Sequence, residues 1–259
     1  MLKNKKAKFI ALAVFLALQL TYLVLVIVTG KEYFTSICLS ALFLVLCFEK
    51  NKTYLVMQIG LICTVFADIF LVVLEPIKQI PAMIFFSFTQ ICYFLRLYFN
   101  TKSKKEKLIH LILRVSLTLI VQIITIVVLK EKIDALSLVS MFYYTNLILN
   151  MIFAFIHFKK SPVFAIGLLL FLLCDTIIGL DIMASSYISG TLLEAINSFV
   201  SGANWAWIFY VPSQALIAIS LVRIKEKKSS IKSRIFCIKT LNESYKIANN
   251  RANKNCKIY

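Results

Sequence analysis

Two stretches of sequence decide the fold: residues 54–74, YLVMQIGLICTVFADIFLVVL, and residues 163–183, VFAIGLLLFLLCDTIIGLDIM. Each is almost entirely apolar and about as long as a helix that crosses the ~30 Å hydrocarbon core of a bilayer. Yet Asp68 lies inside the first run and Asp175 inside the second. A carboxylate near the middle of a membrane helix costs about 2.5 to 3.5 kcal/mol, so it persists mainly where it faces a partner or a cavity. We therefore expect Asp68 and Asp175 to mark the functional site.

Apolar runs of similar length recur along the whole chain. Hydrophobic residues make up 60% of the 259 residues, and the mean hydropathy is +0.85. This pattern predicts an all-α fold, a polytopic membrane helix bundle with about eight transmembrane helices. The expected spans are Phe9–Thr29, the shorter Tyr33–Phe48, Tyr54–Leu74, Gln79–Phe99, Leu108–Leu129, Ala135–Phe158, Val163–Met183 and Asn204–Ile224.

The net charge of +17 is distributed unevenly between the predicted loops. Lysines cluster before residue 9, at 50–52, at 102–107, at 159–160 and after 224, which are alternate loops of an eight-span topology. By the positive-inside rule these loops are cytoplasmic, so both termini are expected in the cytoplasm. The basic excess therefore reports orientation, together with attraction for anionic membrane lipid, and we expect no nucleic-acid partner.

The sequence divides into two predicted domains. Residues 1–224 form the transmembrane helical domain, and residues 225–259 form a basic cytoplasmic tail rich in Lys, Asn and Ser that cannot bury a core. We expect most of the tail to be disordered. An alternative is that its segment 231–241, IKSRIFCIKTL, lies on the inner leaflet as an amphipathic helix.

The cysteines and histidines limit the kinds of catalytic and metal site that the sequence can form. The seven cysteines are scattered and include no CxxC pair, and His110 and His157 are the only histidines. We therefore predict neither a metal site nor a cofactor, and we do not expect a Ser-His or Cys-His nucleophile. An acid catalyst in this protein would therefore have to be an aspartate.

The two halves of the predicted bundle resemble each other. Dividing the chain at the basic loop 100–107 gives two sets of four spans; in each set the third span holds a buried aspartate and the fourth a buried glutamine. Asp68 thereby corresponds to Asp175, and Gln90 to Gln214. Because each set has an even number of spans, the arrangement predicts a 4+4 parallel repeat about an axis along the membrane normal. The alternative is that the two halves match by chance.

Helical rise places these polar residues in one layer between the outer half and the midplane of the membrane. Tyr93 shares a helix face with Gln90, and Tyr210 shares one with Gln214. Three glycines on the aspartate-bearing helices are expected to let neighbouring helices approach closely: Gly60, Gly167 and Gly179. The pattern predicts a polar cavity, edged by aromatic rings, that contains two carboxyl groups.

Each of these residues also has a purely structural interpretation. Asp68 and Asp175 could form an architectural hydrogen-bonded pair, and Asn146 and Asn150 could form interhelical hydrogen bonds. Arg96 and Arg114 lie within a turn or two of the cytoplasmic face, where we expect them to reach towards the interface or contact lipid phosphate.

Four segments of the chain resemble the membrane-embedded YhhN-like family, whose best-known members are lysoplasmalogenases. They are FADIFL at 66–71, FSFTQICYF at 86–94, IGLLLFLLCDTIIGL at 166–180 and WIFYVPSQALIAIS at 207–220. The resemblance spans roughly residues 54–222. The chain departs from the pattern at Ala67, where the family often has Gly, and at Cys174, where it has Ser.

The resemblance implies a hydrolase that cleaves the vinyl ether bond of lysoplasmalogen-type lipids to a fatty aldehyde and a glycerophospho-alcohol. Asp68 and Asp175 would then be the catalytic pair, one a neutral acid and the other a negative charge that stabilises an oxocarbenium ion. Gln90, Tyr93, Tyr210 and Gln214 would bind the substrate, a lysolipid, and position the attacking water.

Two other classes of function fit the same residues. Buried aspartates and duplicated halves also occur in proton-coupled transporters of small molecules or lipids. A non-catalytic membrane protein is the third interpretation. The excess of Lys over Arg and the frequent Ile and Asn are typical of a bacterial protein, so we expect the cell membrane as its location.

Overall fold

The computed structural model describes residues 5–30, 33–48, 52–74, 76–130, 133–186 and 205–222. All regular structure in these ranges is helical, as predicted. Eight α-helices follow one another: α1 Lys5–Thr29, α2 Phe34–Leu46, α3 Lys52–Asp68, α4 Gln79–Asn100, α5 Lys104–Leu129, α6 Ala135–Ile156, α7 Pro162–Ser186 and α8 Trp205–Ile219. The predicted tail at 225–259 lies outside the described residues.

Six of these helices are long and apolar enough to cross a membrane, and the chain is therefore a multi-pass membrane protein. The remaining two are shorter: α2 has 13 residues and α8 has 15. At 1.5 Å per residue they span about 20 and 23 Å, less than the ~30 Å of hydrocarbon. The expected shortness of the second span is confirmed, whereas the described part of the last helix is shorter than the predicted span.

The bundle is apolar towards its surroundings, as a protein in lipid should be. Helix α5 shows this most clearly, because its exposed face consists of large aliphatic residues such as Leu108, Ile112 and Ile123. Its buried residues are all polar: His110, Arg114, Thr118 and Thr125. Since lipid solvates aliphatic side chains, the polar face of α5 turns towards the protein.

Helix packing forms a closed circuit. Helix α2 packs on α3, α3 on α4, α4 on α6, α6 on α7, α7 on α8, and α8 returns to α2. Helix α1 lies against α2 and α8, while α5 lies against α6. Side chains that face the inside of this circuit therefore come from six helices and meet in one interior.

Two of the three glycines hold helices close together, as predicted. Each lies eight residues before the buried aspartate of its helix. A Cβ atom on Gly60 would lie 3.0 Å from Cβ of Cys92 on α4, and one on Gly167 would lie 3.0 Å from Cγ1 of Ile217 on α8. The expectation for Gly179 is wrong, because no described atom lies within 4 Å of its Cβ position.

The start of α6 is fixed by a side chain. The Asp134 carboxylate accepts hydrogen bonds from the Ser137 backbone N–H, at 2.7 Å, and from the Ser137 hydroxyl. These bonds hold the pKa of the exposed Asp134 carboxyl below its ordinary value. Such a cap satisfies one of the unpaired N–H groups of a helix and thereby fixes the first residues of α6.

We expect Gly167→Ala to lower the free energy of unfolding by about 1–3 kcal/mol, because the new methyl group meets the Ile217 backbone nitrogen at 3.1 Å. Gly179→Ala on the same helix is the matched control and should change stability by less than about 0.5 kcal/mol. Unfolding in mixed detergent micelles measures both. Equal losses in the two variants would contradict the proposed tight contact between α7 and α8.

Candidate functional site

Asp68 is the last residue of α3 and is buried, with 2% of its surface exposed. The Tyr210 hydroxyl, on α8, lies 3.0 Å from one carboxylate oxygen and 2.9 Å from the other. The thiol of Cys38, on α2, lies 3.1 Å from the same hydroxyl. Three helices of the circuit thus supply the surroundings of one carboxylate.

A π-helical turn follows Asp68 directly. Residues 69–73 depart from the α-helical pattern, and the Leu74 backbone N–H donates to the Ile69 carbonyl at 3.0 Å. No glycine or proline marks this turn in the sequence, so the sequence analysis missed it. Such turns are frequent at functional sites, because they shift the side chains on either side around the helix axis.

Asp175 on α7 has an arrangement of its own. The Tyr143 hydroxyl, on α6, donates to one of its carboxylate oxygens. Asp175 is only partly buried, unlike Asp68. Both acids lie on helices of the closed circuit, Asp68 on α3 and Asp175 on α7. The structure therefore brings the two predicted aspartates to the same interior.

Aromatic rings connect the two acid–tyrosine pairs. The ring centroids of Tyr210 and Phe171 lie 6.0 Å apart, those of Phe171 and Phe86 lie 6.2 Å apart, and those of Phe86 and Tyr143 lie 5.5 Å apart. Tyr143 is not among the predicted site residues, although helical spacing groups it with Asn146 and Asn150, three and seven residues further on, on one face of α6.

The remaining predicted site residues lie in the same interior. Gln90, Tyr93 and Gln214 are fully buried. Several of their polar atoms have no hydrogen-bond partner among the described residues and no contact with solvent: Gln90 Nε2, the Tyr93 hydroxyl, and both Nε2 and Oε1 of Gln214. The sequence predicted a polar cavity, whereas the structure closes these polar groups off from solvent.

An apolar groove lies elsewhere, between α4, α5 and α6. Its volume is about 400 Å³, and it is lined by residues that include Ile84, Phe88 and Ile91 of α4, Gln122 of α5, and Leu138 and Phe142 of α6. Neither aspartate is among the residues that line it.

One known family matches most of the chain. The sequence model of the YhhN family matches residues 32–221, which contain all six predicted site residues.

The chain belongs to the YhhN family.

The match begins just before α2 and ends just after α8, so it includes all six helices of the closed circuit. The search of curated proteins gave no match, and neither did the search of solved structures. Within the described residues no three His, Cys, Asp or Glu side chains group as metal ligands would.

Two arginines of this YhhN protein turn inward, so the expected contact with the interface or with lipid is wrong. Arg96 donates to the Ser220 hydroxyl at 2.7 Å and lies 3.7 Å from the centroid of the Phe164 ring. Arg114 donates to Asn146 and Asn150, at 2.5 and 2.6 Å. Polar acceptors on neighbouring helices replace water for both cations, which sequence spacing alone did not show.

We expect Tyr210→Phe to lower the free energy of unfolding by about 1–3 kcal/mol, because it removes a donor from a buried carboxylate. Tyr143→Phe should lower it as well, since Asp175 then loses its hydroxyl donor. Tyr144→Phe is the matched control: it removes a 2.7 Å hydroxyl contact with Thr176 between the same helices, α6 and α7, without touching an acid. Unfolding in mixed micelles ranks the variants. A control loss as large as that of Tyr210→Phe would contradict the importance of the acid–tyrosine contact.

Proposed function

We propose that this YhhN protein is a membrane-embedded hydrolase that cleaves the vinyl ether bond of a lysoplasmalogen-type lipid. The observation that carries the proposal is the pair of aspartates inside the bundle, each bound by a tyrosine hydroxyl. Family membership agrees with it, because lysoplasmalogenases are the best-known members of the YhhN family. The products would be a fatty aldehyde and a glycerophospho-alcohol.

The reaction needs one neutral acid and one negative charge. The acid donates a proton to the vinyl carbon that does not bear oxygen; the double-bond electrons form the new C–H bond, and the other carbon becomes an oxocarbenium ion. Water attacks that ion and gives up a proton to a carboxylate, which leaves a hemiacetal. The bond to the glycerol oxygen then breaks as this oxygen takes a proton and the hemiacetal hydroxyl loses one. The net reaction consumes one water and returns both carboxyl groups to their starting states.

The contacts favour different roles for the two aspartates. The Tyr210 hydroxyl lies at nearly equal distances, 3.0 and 2.9 Å, from the two oxygens of Asp68, so they share its one hydrogen, an arrangement suited to a carboxylate that stays negatively charged. Asp175 is partly exposed, and one oxygen is bound by Tyr143, which leaves the other able to bear a proton. We therefore assign Asp175 as the acid and Asp68 as the charge that stabilises the oxocarbenium ion.

The buried amides and phenol are suited to bind the rest of the substrate. Gln90, Tyr93 and Gln214 offer donors and acceptors that have no partner among the described residues, as a site for a polar headgroup and a water requires. Because these atoms are closed off from solvent, the lysolipid would enter by separating helices from the membrane side. Its aliphatic chain could then remain in lipid throughout.

The proposal includes the topology. If helices α1–α4 correspond to helices α5–α8, then the pairs α1–α2, α2–α3 and α3–α4 correspond to α5–α6, α6–α7 and α7–α8. The pair α2–α8 likewise corresponds to the pair α6–α4. All eight pairs are packed. The two tight glycines also occupy equivalent places. These correspondences favour the 4+4 parallel repeat. The basic loops favour cytoplasmic termini, and we propose the cell membrane as the location.

We expect Asp68→Asn and Asp175→Asn each to lower the rate of aldehyde release from a vinyl ether lysolipid by about 10²–10⁴-fold, the usual effect of losing an acid or base. Asp134→Asn, which alters an exposed carboxyl at the start of α6, should release aldehyde at the normal rate. Purified protein in detergent, with folding checked by its elution profile, serves for all three. Normal release by either interior variant would contradict the catalytic assignment.

A proton-coupled transporter is the second candidate, and one feature favours it. The π-helical turn after Asp68 and Pro212 inside α8 interrupt two helices beside the Asp68–Tyr210 contact. Interrupted helices line the sites of many transporters. Proton-gradient-dependent uptake of lysolipid into proteoliposomes, with no aldehyde formed, would favour transport over hydrolysis.

A further inference from the structure

Arg114 is buried in the bundle beside the proposed site, with 7% of its surface exposed. Its guanidinium donates to Oδ1 of Asn146 at 2.5 Å and to Oδ1 of Asn150 at 2.6 Å. The Phe94 ring covers it, with the centroid 4.4 Å from Cζ. Neutral amides and an aromatic face thus solvate the cation, and no acidic side chain of the described residues forms an ion pair with it.

A buried guanidinium without a counter-ion is an expensive way to hold two helices together. A guanidinium differs from other side chains in that it can only donate hydrogen bonds and holds its N–H groups in a rigid plane. Any amide that contacts it must therefore present its oxygen. The effect of Arg114 is to fix which way a neighbouring carboxamide points.

Asn150 passes this orientation on to Gln90. Its Oδ1 faces Arg114, so its NH₂ group faces the other way and donates to the Gln90 side-chain oxygen at 3.0 Å and to the Gln90 backbone carbonyl at 2.8 Å. The Gln90 carboxamide must then turn its own oxygen towards Asn150 and its nitrogen away. That nitrogen is the atom of Gln90 that has no partner among the described residues.

We propose that Arg114 is a positioning residue: acting through Asn150, it fixes the Gln90 carboxamide so that its NH₂ group is held as a donor towards the substrate. Arg114 itself does not touch substrate. The inference rests on the proposed function in that Gln90 must bind the lysolipid or the attacking water. It adds the direction of the hydrogen bond between Gln90 and the substrate: Gln90 donates to an acceptor oxygen of the substrate and does not accept from it.

The chain offers a matched pair of variants. Asn146 and Asn150 both accept from Arg114, but only Asn150 contacts Gln90. We expect Asn150→Ala to lower kcat/KM for a vinyl ether lysolipid by about 10–100-fold, whereas Asn146→Ala should lower it less than about 3-fold. Asn150→Asp keeps an acceptor for Arg114 and loses the donor to Gln90, so it should be as impaired as Asn150→Ala. Equal effects of Asn146→Ala and Asn150→Ala, or normal kcat/KM in Asn150→Asp, would overturn the proposal.

A second measurement does not depend on activity. In protein labelled with ¹⁵N in glutamine side chains, the Gln90 NH₂ group, assigned by loss of its signals in Gln90→Glu, should give two resonances whose hydrogens exchange slowly with solvent. We expect their chemical shifts to change and this exchange to become faster in Asn150→Ala, Arg114→Gln and Arg114→Lys, and both to stay as in the wild type in Asn146→Ala; a lysine has no rigid fork to hold both amides. Unchanged Gln90 signals in Asn150→Ala would overturn the positioning proposal. A wild type that releases no aldehyde but shows this pattern would instead overturn the proposed function alone.

Discussion

The structure depends on how two carboxylates are accommodated inside an apolar helix bundle. A charged or polar acid in that setting must find donors within the protein, because lipid offers none. Asp68 is met by Tyr210 from α8 and Asp175 by Tyr143 from α6. The first contact joins α8 to α3, which are distant in sequence, and the second joins the consecutive helices α6 and α7. The need to satisfy the acids therefore helps to decide which helices become neighbours, as well as what chemistry the interior can perform.

The same constraint organises the layers around the acids. Six helices form the closed circuit, and their buried side chains include the polar site residues together with a larger apolar set. Helix α5 lies outside the circuit yet turns His110, Arg114, Thr118 and Thr125 towards the protein, with aliphatic side chains towards lipid. Through Arg114, α5 reaches Asn150 of α6, which in turn binds Gln90 of α4. An outer helix thereby acts on the orientation of an interior amide.

Much of the fold could be predicted from the sequence. Span length and apolar composition are set by bilayer thickness, so the starts of α4 and α6 and the ends of α1 and α5 agree with the expected spans. The aspartates and glutamines stand out in the sequence, because a polar residue in an apolar run is conspicuous. Gly60 and Gly167 were predicted to permit close approach, and the structure confirms both.

What the sequence did not reveal depends on contacts between helices. The π-helical turn after Asp68 has no local marker in the sequence. Only the packing of the helices shows that Tyr143 binds Asp175 and that Tyr210 binds Asp68. Because Arg114 lies near the cytoplasmic end of α5, the sequence predicted that its side chain points outward. Its amide acceptors on α6 show that it points inward. The closure of the interior likewise follows from how six helices fit together, which no single helix face determines.

The central claim is that Asp68 and Asp175 act on one substrate in one interior. An experimental structure with a bound lysolipid analogue, in which a saturated ether replaces the vinyl ether, tests it most directly. The account predicts that the ether linkage lies between the two carboxyl groups, within about 3.5 Å of each, with the NH₂ group of Gln90 pointing towards a polar oxygen of the analogue. An analogue bound only in the apolar groove between α4, α5 and α6, with both carboxyl groups out of its reach, would contradict it.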